Sequence, residues 1–123
     1  MTADGFRKLA LSFEGAIEAE HMHHPDFRVG GKIFATIPYP GRPLGMVVLT
    51  PEQQADLVHD APQVFTPVPG GWGRQGCTQV NLPAATKVVL LPALEAAWRN
   101  ALLKASKARK TPRTQGVSRK SSR

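Results

Sequence analysis

Residues 21–37 read HMHHPDFRVGGKIFATI, and the folding of this stretch decides the architecture. Gly30-Gly31 links two segments that both suit an extended chain. Glycine takes positive φ at no steric cost, so a two-residue Gly-Gly link between such segments predicts a β-hairpin. In KIFATI, at 32–37, alternation puts Ile33, Ala35 and Ile37 on one face and Phe34 and Thr36 on the other. A hairpin commits the sheet to antiparallel pairing, because parallel neighbours need a long crossover.

Upstream, residues 17–24 and 26–30 suit strands, and residues 3–13 suit a short amphipathic helix. Phe6, Leu9, Ala10 and Phe13 recur at helical spacing, Thr2 or Asp4 caps the start, and Gly15 ends it. Downstream, PYPGRP at 38–43 is a loop and LGMVVLT at 44–50 a strand. TPEQQADLVHDAP then opens a helix with Thr50 as N-cap, Pro51 at its first position and Gln53 completing a capping box. Leu57, Val58 and Ala61 form the buried stripe of that helix, and Pro62 closes it.

QVFTPVPGGWGRQG is loop-rich, with a short strand at 64–66. CTQVNL alternates as a half-buried strand, with Thr78, Val80 and Leu82 opposite Gln79 and Asn81. The last element is a helix over 84–105 whose apolar face is Leu91, Leu94, Trp98, Ala101 and Leu102. Pro92 predicts a kink, or a start delayed to about residue 91. The expected fold class is α+β, an antiparallel β-sheet of hairpins with helices packed on one face. The expected division is one domain over 1–105 and a disordered Lys/Arg/Ser-rich tail over 106–123.

A chain of 123 residues holds one domain. It contains no apolar run long enough for a transmembrane helix, and the N-terminus does not read as a signal peptide. Cys77 is the single cysteine, so no internal disulfide forms, which fits a reducing cytoplasm. The net charge of +7 resides at one end. Lys104, Lys107, Arg109, Lys110, Arg113, Arg119, Lys120 and Arg123 follow residue 103 with no acid among them, leaving eight bases against nine acids before it.

HMHHPDFRVGGKIFA, LTPEQQ, PVPGGWGRQG and EAAWRN, in that order and spacing over about residues 3–103, together resemble the MmcQ/YjbR-like family. The family pattern lands on His21, His24, Pro25, Phe27, Arg28, Gly31, Lys32 and Phe34, then on Pro69, Gly70, Trp72, Gly73 and Gly76, and finally on Trp98. His23, Pro92 and the basic tail depart from it. The resemblance implies a small bacterial single-domain protein in which two β-hairpins project as a "double wing" for DNA.

Several clusters carry candidate chemistry. Three histidines crowd positions 21, 23 and 24, but in a single strand alternation sets His21 and His23 against His24, and zinc needs three or four convergent ligands. His59 or an acid would have to supply the third ligand, so no metal site is assigned. The sequence fixes no nucleophile beside His24 and Asp26 and no base beside Cys77, and the reading favours a protein without catalysis. PGGWGRQG combines backbone amides suited to an anion nest with a stacking face at Trp72 and a charged fork at Arg74. The plainer reading is a hairpin loop whose Trp72 folds back on the core.

The expected function is therefore DNA or other nucleic-acid binding without catalysis or cofactor. Arg28, Lys32, Trp72 and Arg74 form the folded surface, and Lys104, Lys107, Arg109 and Lys110 add non-specific phosphate affinity. The alternative is a protein-interaction or small-ligand domain that uses the open sheet face or the loop at 69–76. A metal-dependent enzyme around His21 and His24 stands behind both.

Overall fold

A computed structural model describes residues 1–21, 24–37 and 43–110. Its elements run α1 (Ala3–Leu11), β1 (Ile17–His21), β2 (His24–Val29), β3 (Lys32–Thr36), β4 (Leu44–Val48), α2 (Pro51–Asp60), β5 (Phe65–Pro67), α3 (Gly71–Arg74), β6 (Cys77–Asn81) and α4 (Lys87–Lys110). A 3₁₀ turn at Leu82–Ala84 joins β6 to α4. The six strands form one sheet in the order β1-β2-β3-β4-β6-β5, and every neighbouring pair is antiparallel. The expected α+β class is what the chain adopts.

The Gly-Gly link is a two-residue turn closed by the Val29↔Lys32 pair, with φ of 58° at Gly30 and 81° at Gly31. Positive φ at both central positions marks the type I′ turn, whose twist matches that of the flanking strands. Gly30 has a second constraint, because a Cβ there would stand 2.6 Å from the Ala105 methyl of α4.

Two expectations about strand alternation are corrected. Residues 17–24 are not one strand: β1 ends at His21, β2 begins at His24, and the two are register partners across the connection. The split of the histidines between opposite faces of one strand therefore does not hold, and His23 lies outside the described residues. In β3, Phe27 pairs with Ala35 and Arg28 with Ile33, so Phe34 is an extra residue in a β-bulge. The bulge carries Ile33 onto the face of Arg28, opposite Ala35, while Phe34 joins Ala35 in the core, both fully buried.

The core lies between one sheet face and the helices. Phe6 of α1 packs on Phe27 with ring centroids 6.1 Å apart and lies over Gly45, where a Cβ would come within 2.9 Å of the ring. Leu90, Ala93, Leu94, Ala97 and Ala101 bury one side of α4 in the same cluster. Trp98 stacks on Phe13 at 5.4 Å and donates its indole N–H to the Glu14 carbonyl at 2.9 Å, tying the end of α1 to α4.

Both α2 caps form as the sequence predicts, the Thr50 hydroxyl accepting from the Gln53 amide and the Gln53 side chain from the Thr50 amide. Pro92 does not delay α4, which begins at Lys87 behind Thr86, whose hydroxyl accepts from the Val89 amide. The helix continues to Lys110. Residues 38–42 of the loop expected at 38–43, and residues 111–123 of the expected tail, lie outside the described residues. No helix among the described residues is long and apolar enough to cross a membrane.

Candidate functional site

Residues paired across strands share a face. With α1 and α4 on the core face of Phe27, Ala35 and Val47, the opposite face carries Arg28, Ile33, Met46, Val48 and Cys77. Arg28 pairs with Ile33, Val48 with Cys77, and Thr36 with Met46. Ile33, Met46, Val48 and Cys77 floor a cavity of about 460 Å³ on this face. Val68, Trp72, Gln75, Leu49 and Lys104 complete the lining. β3 and β4 pair only through Ala35↔Val47 and Thr36↔Met46, so Ile33 and Val48 meet in the cavity without a ladder between them.

The wall bearing Trp72 is held by backbone approach. A Cβ on Gly73 would lie 1.7 Å from the Val68 carbonyl oxygen, and one on Gly76 1.9 Å from that of Leu49. Only glycine fits either place, and Gly76 also has a φ of 114°. Gln54 of α2 reaches across to the same segment. Its amide nitrogen lies 2.9 Å from the Gly73 carbonyl, 3.0 Å from that of Cys77 and 3.2 Å from the Thr78 hydroxyl.

This scaffold leaves Trp72 69% exposed, so the expectation that it folds back on the core is not met. PGGWGRQG also contains the short helix α3 rather than a plain loop. The amides of Arg74, Gln75 and Gly76 bond the carbonyls of Gly70, Gly71 and Gly73, which takes three donors away from an anion nest.

Cys77 is half-buried on the cavity floor. Burial raises its thiol pKa above the ordinary range, and the Lys104 charge opposes that shift. A thiol kept protonated is a poor nucleophile at neutral pH. A second cavity, of about 200 Å³, adjoins the first through shared Val48, Leu49 and Lys104 and adds Thr50, Asn100 and Lys107.

The residues expected to bind nucleic acid are thus distributed unevenly. Trp72 and Lys104 line the first cavity, and Lys107 the second. Lys32 is exposed at the hairpin turn whose Gly30 abuts Ala105 of α4. Arg74 is exposed on α3. Arg28 is committed to buried Asp26, donating from Nε at 2.7 Å and from Nη2 at 3.0 Å. Arg109 and Lys110 continue α4.

The histidine cluster gains no ligand set. His59 is exposed on α2 beside Asp60, and no group of three metal-ligating side chains converges among the described residues. Sequence reasoning misses Met46, Val48 and Gln54 as site residues. A signal for the strand pair is nonetheless present: LGMVVLT is apolar at both parities, so both faces of β4 meet something other than bulk water.

The YjbR family model matches residues 11–106. The chain belongs to the YjbR family. The crystal structure of a Deinococcus radiodurans protein with a DUF419 domain superposes with a TM-score of 0.65 at 19% identity, covering 91% of this chain and 83% of that one. At that identity the likeness is one of fold. No curated protein matches the chain.

Proposed function

We propose that this YjbR protein is a small-ligand-binding domain that takes a largely apolar molecule on its open sheet face, under Trp72. The supporting observation is the cavity of about 460 Å³ floored by Ile33, Met46, Val48 and Cys77 of the sheet and completed by Trp72 and by Lys104 of α4. Ligand sites are typically concave, lined mostly by apolar side chains, and about 300–1,000 Å³ in volume. An exposed tryptophan at the mouth supplies a large contact area with few rotatable bonds. The test is an NMR titration of the full chain with 1-octanol, a neutral apolar probe. Shifts confined to Ile33, Met46, Val48, Cys77 and the Trp72 indole are expected. An absence of shifts, or shifts centred on another part of the fold, would overturn the reading.

A second reading, nucleic-acid binding, is favoured by one observation: exposed Trp72 and Lys104 share one cavity, and Lys107 lies in the next. Base stacking on an aromatic side chain is worth about 1–3 kcal/mol per base. Salt-titrated binding of single-stranded DNA tests it. A loss of about tenfold or more in Trp72→Ala supports a folded nucleic-acid surface. Unchanged affinity with a steep salt slope leaves only the electrostatics of the basic terminus.

A further inference from the structure

The first cavity has a single charged residue in its lining, Lys104, and the adjoining one adds Lys107. No aspartate or glutamate lines either cavity among the described residues. Lys104 also stands close enough to the floor for its charge to act on Cys77. The polar lining of the first cavity is otherwise slight, with Gln75 its one uncharged amide side chain. A nucleobase seated there would bury several N–H and C=O groups with few partners, and an unmet polar group is costly out of water. A cationic ligand would meet the Lys104 charge in a cavity that no aspartate or glutamate lines among the described residues.

We propose that the ligand is an anionic amphiphile, a carboxylate on a hydrocarbon body. The body lies on Ile33, Met46 and Val48 beneath Trp72, and the carboxylate pairs with Lys104 at the end that opens toward Lys107. This rests on the small-ligand reading above and adds the head group and the residue that selects it. Lys104 is exposed, so its contribution is that of a solvent-screened ion pair, about threefold in affinity.

The experiment is calorimetric titration of the full chain with octanoate, 1-octanol and octylammonium, which share one chain length and differ in charge. Octanoate is expected to bind about threefold more tightly than octanol, and octylammonium least tightly. Raising the salt concentration should shrink the advantage of octanoate. Lys104→Gln should abolish that advantage, so that octanoate no longer binds more tightly than octanol to the variant. Equal binding of octanoate and octanol, or an advantage that survives in Lys104→Gln, overturns the head-group assignment while leaving the cavity reading intact. Failure of all three probes to bind overturns the cavity reading itself. Trp72→Ala, at a position 69% exposed, should weaken octanoate and octanol alike; affinities unchanged in that variant would also remove the cavity reading.

Discussion

Arg28 forms a two-pronged ion pair with Asp26, its neighbour two residues away on the same face of β2, at 2.7 and 3.0 Å. Asp26 is wholly buried and the Arg28 side chain is 30% exposed. The hydrogen bond to Asp26 raises the Arg28 pKa, with burial acting against it. A guanidinium used in this way supports the sheet, because removing it takes two charge-assisted hydrogen bonds from a buried carboxylate. Arg28→Ala should lower the midpoint of urea unfolding clearly, whereas Lys32→Ala, at the exposed turn, should leave it in place. Affinity for a polyanion should respond to Arg28→Ala no more than to Lys32→Ala. A variant with normal stability and much weaker DNA binding would return Arg28 to the ligand surface.

Gly76 and Gly31 both have positive φ, at 114° and 81°, but differ in the space around them. A Cβ on Gly31 meets nothing within 4 Å, while one on Gly76 collides with the Leu49 backbone. Gly31→Ala should therefore cost only the left-handed penalty of about 1–2 kcal/mol. Gly76→Ala requires backbone movement between β4 and β6 and should exceed about 4 kcal/mol or prevent folding. Equilibrium denaturation of the two variants side by side measures the difference.

The Gln54 amide links α2 to the segment that presents Trp72. Gln54→Ala removes bonds to two carbonyls and should cost about 1–2 kcal/mol. The loss should be local. Hydrogen exchange at Arg74, Gln75 and Gly76 should quicken, while amides in β2 and β3 retain their protection.

Why the site is less legible than the fold follows from these contacts. The capping box at Thr50 and the Gly30-Gly31 turn are local chemistry, so both are readable over three or four residues. The bulge at Phe34 is not, because either face assignment of Ile33 satisfies the KIFATI alternation; register against Arg28 decides it. The cavity is harder still, since Ile33, Met46, Cys77 and Lys104 come from four separate elements. Charge and stacking single out Trp72 and Lys104 in the sequence. Their shared cavity depends on Gly73 and Gly76 lying against distant carbonyls, which local spacing does not encode.

Cys77 should alkylate slowly. Burial raises its pKa, so at pH 8 the thiolate fraction is smaller than in a free cysteine, and iodoacetamide should react more slowly with folded than with urea-unfolded protein. The linkage has a definite sign. The unfolded chain loses the thiol proton at the ordinary pKa while the folded chain keeps it to higher pH. Stability due to this group is thus constant below that range and falls as pH rises through it. Cys77→Ser should lessen this alkaline loss. Lys104→Gln should slow alkylation further, because its charge favours the thiolate.

Pro92 sits inside α4 and is exposed. It has no N–H to give the Val88 carbonyl one turn earlier, and exposure of that turn, with Val88 82% exposed, lets water take the carbonyl instead. The bond is lost near the helix start, where Thr86 already caps and the Leu90 amide bonds the Thr86 carbonyl at 2.9 Å. The penalty should be well below the ~3 kcal/mol typical of a mid-helix proline. Pro92→Ala restores the bond and should stabilise the protein by about 1 kcal/mol, or about 4 °C in Tm. Thr86→Ala should act oppositely, costing about 1 kcal/mol through the lost cap. Combining the two tests whether the cap compensates for the proline. If it does, Thr86→Ala will cost more in the parent chain than in the Pro92→Ala background, and if the two act independently their effects will add.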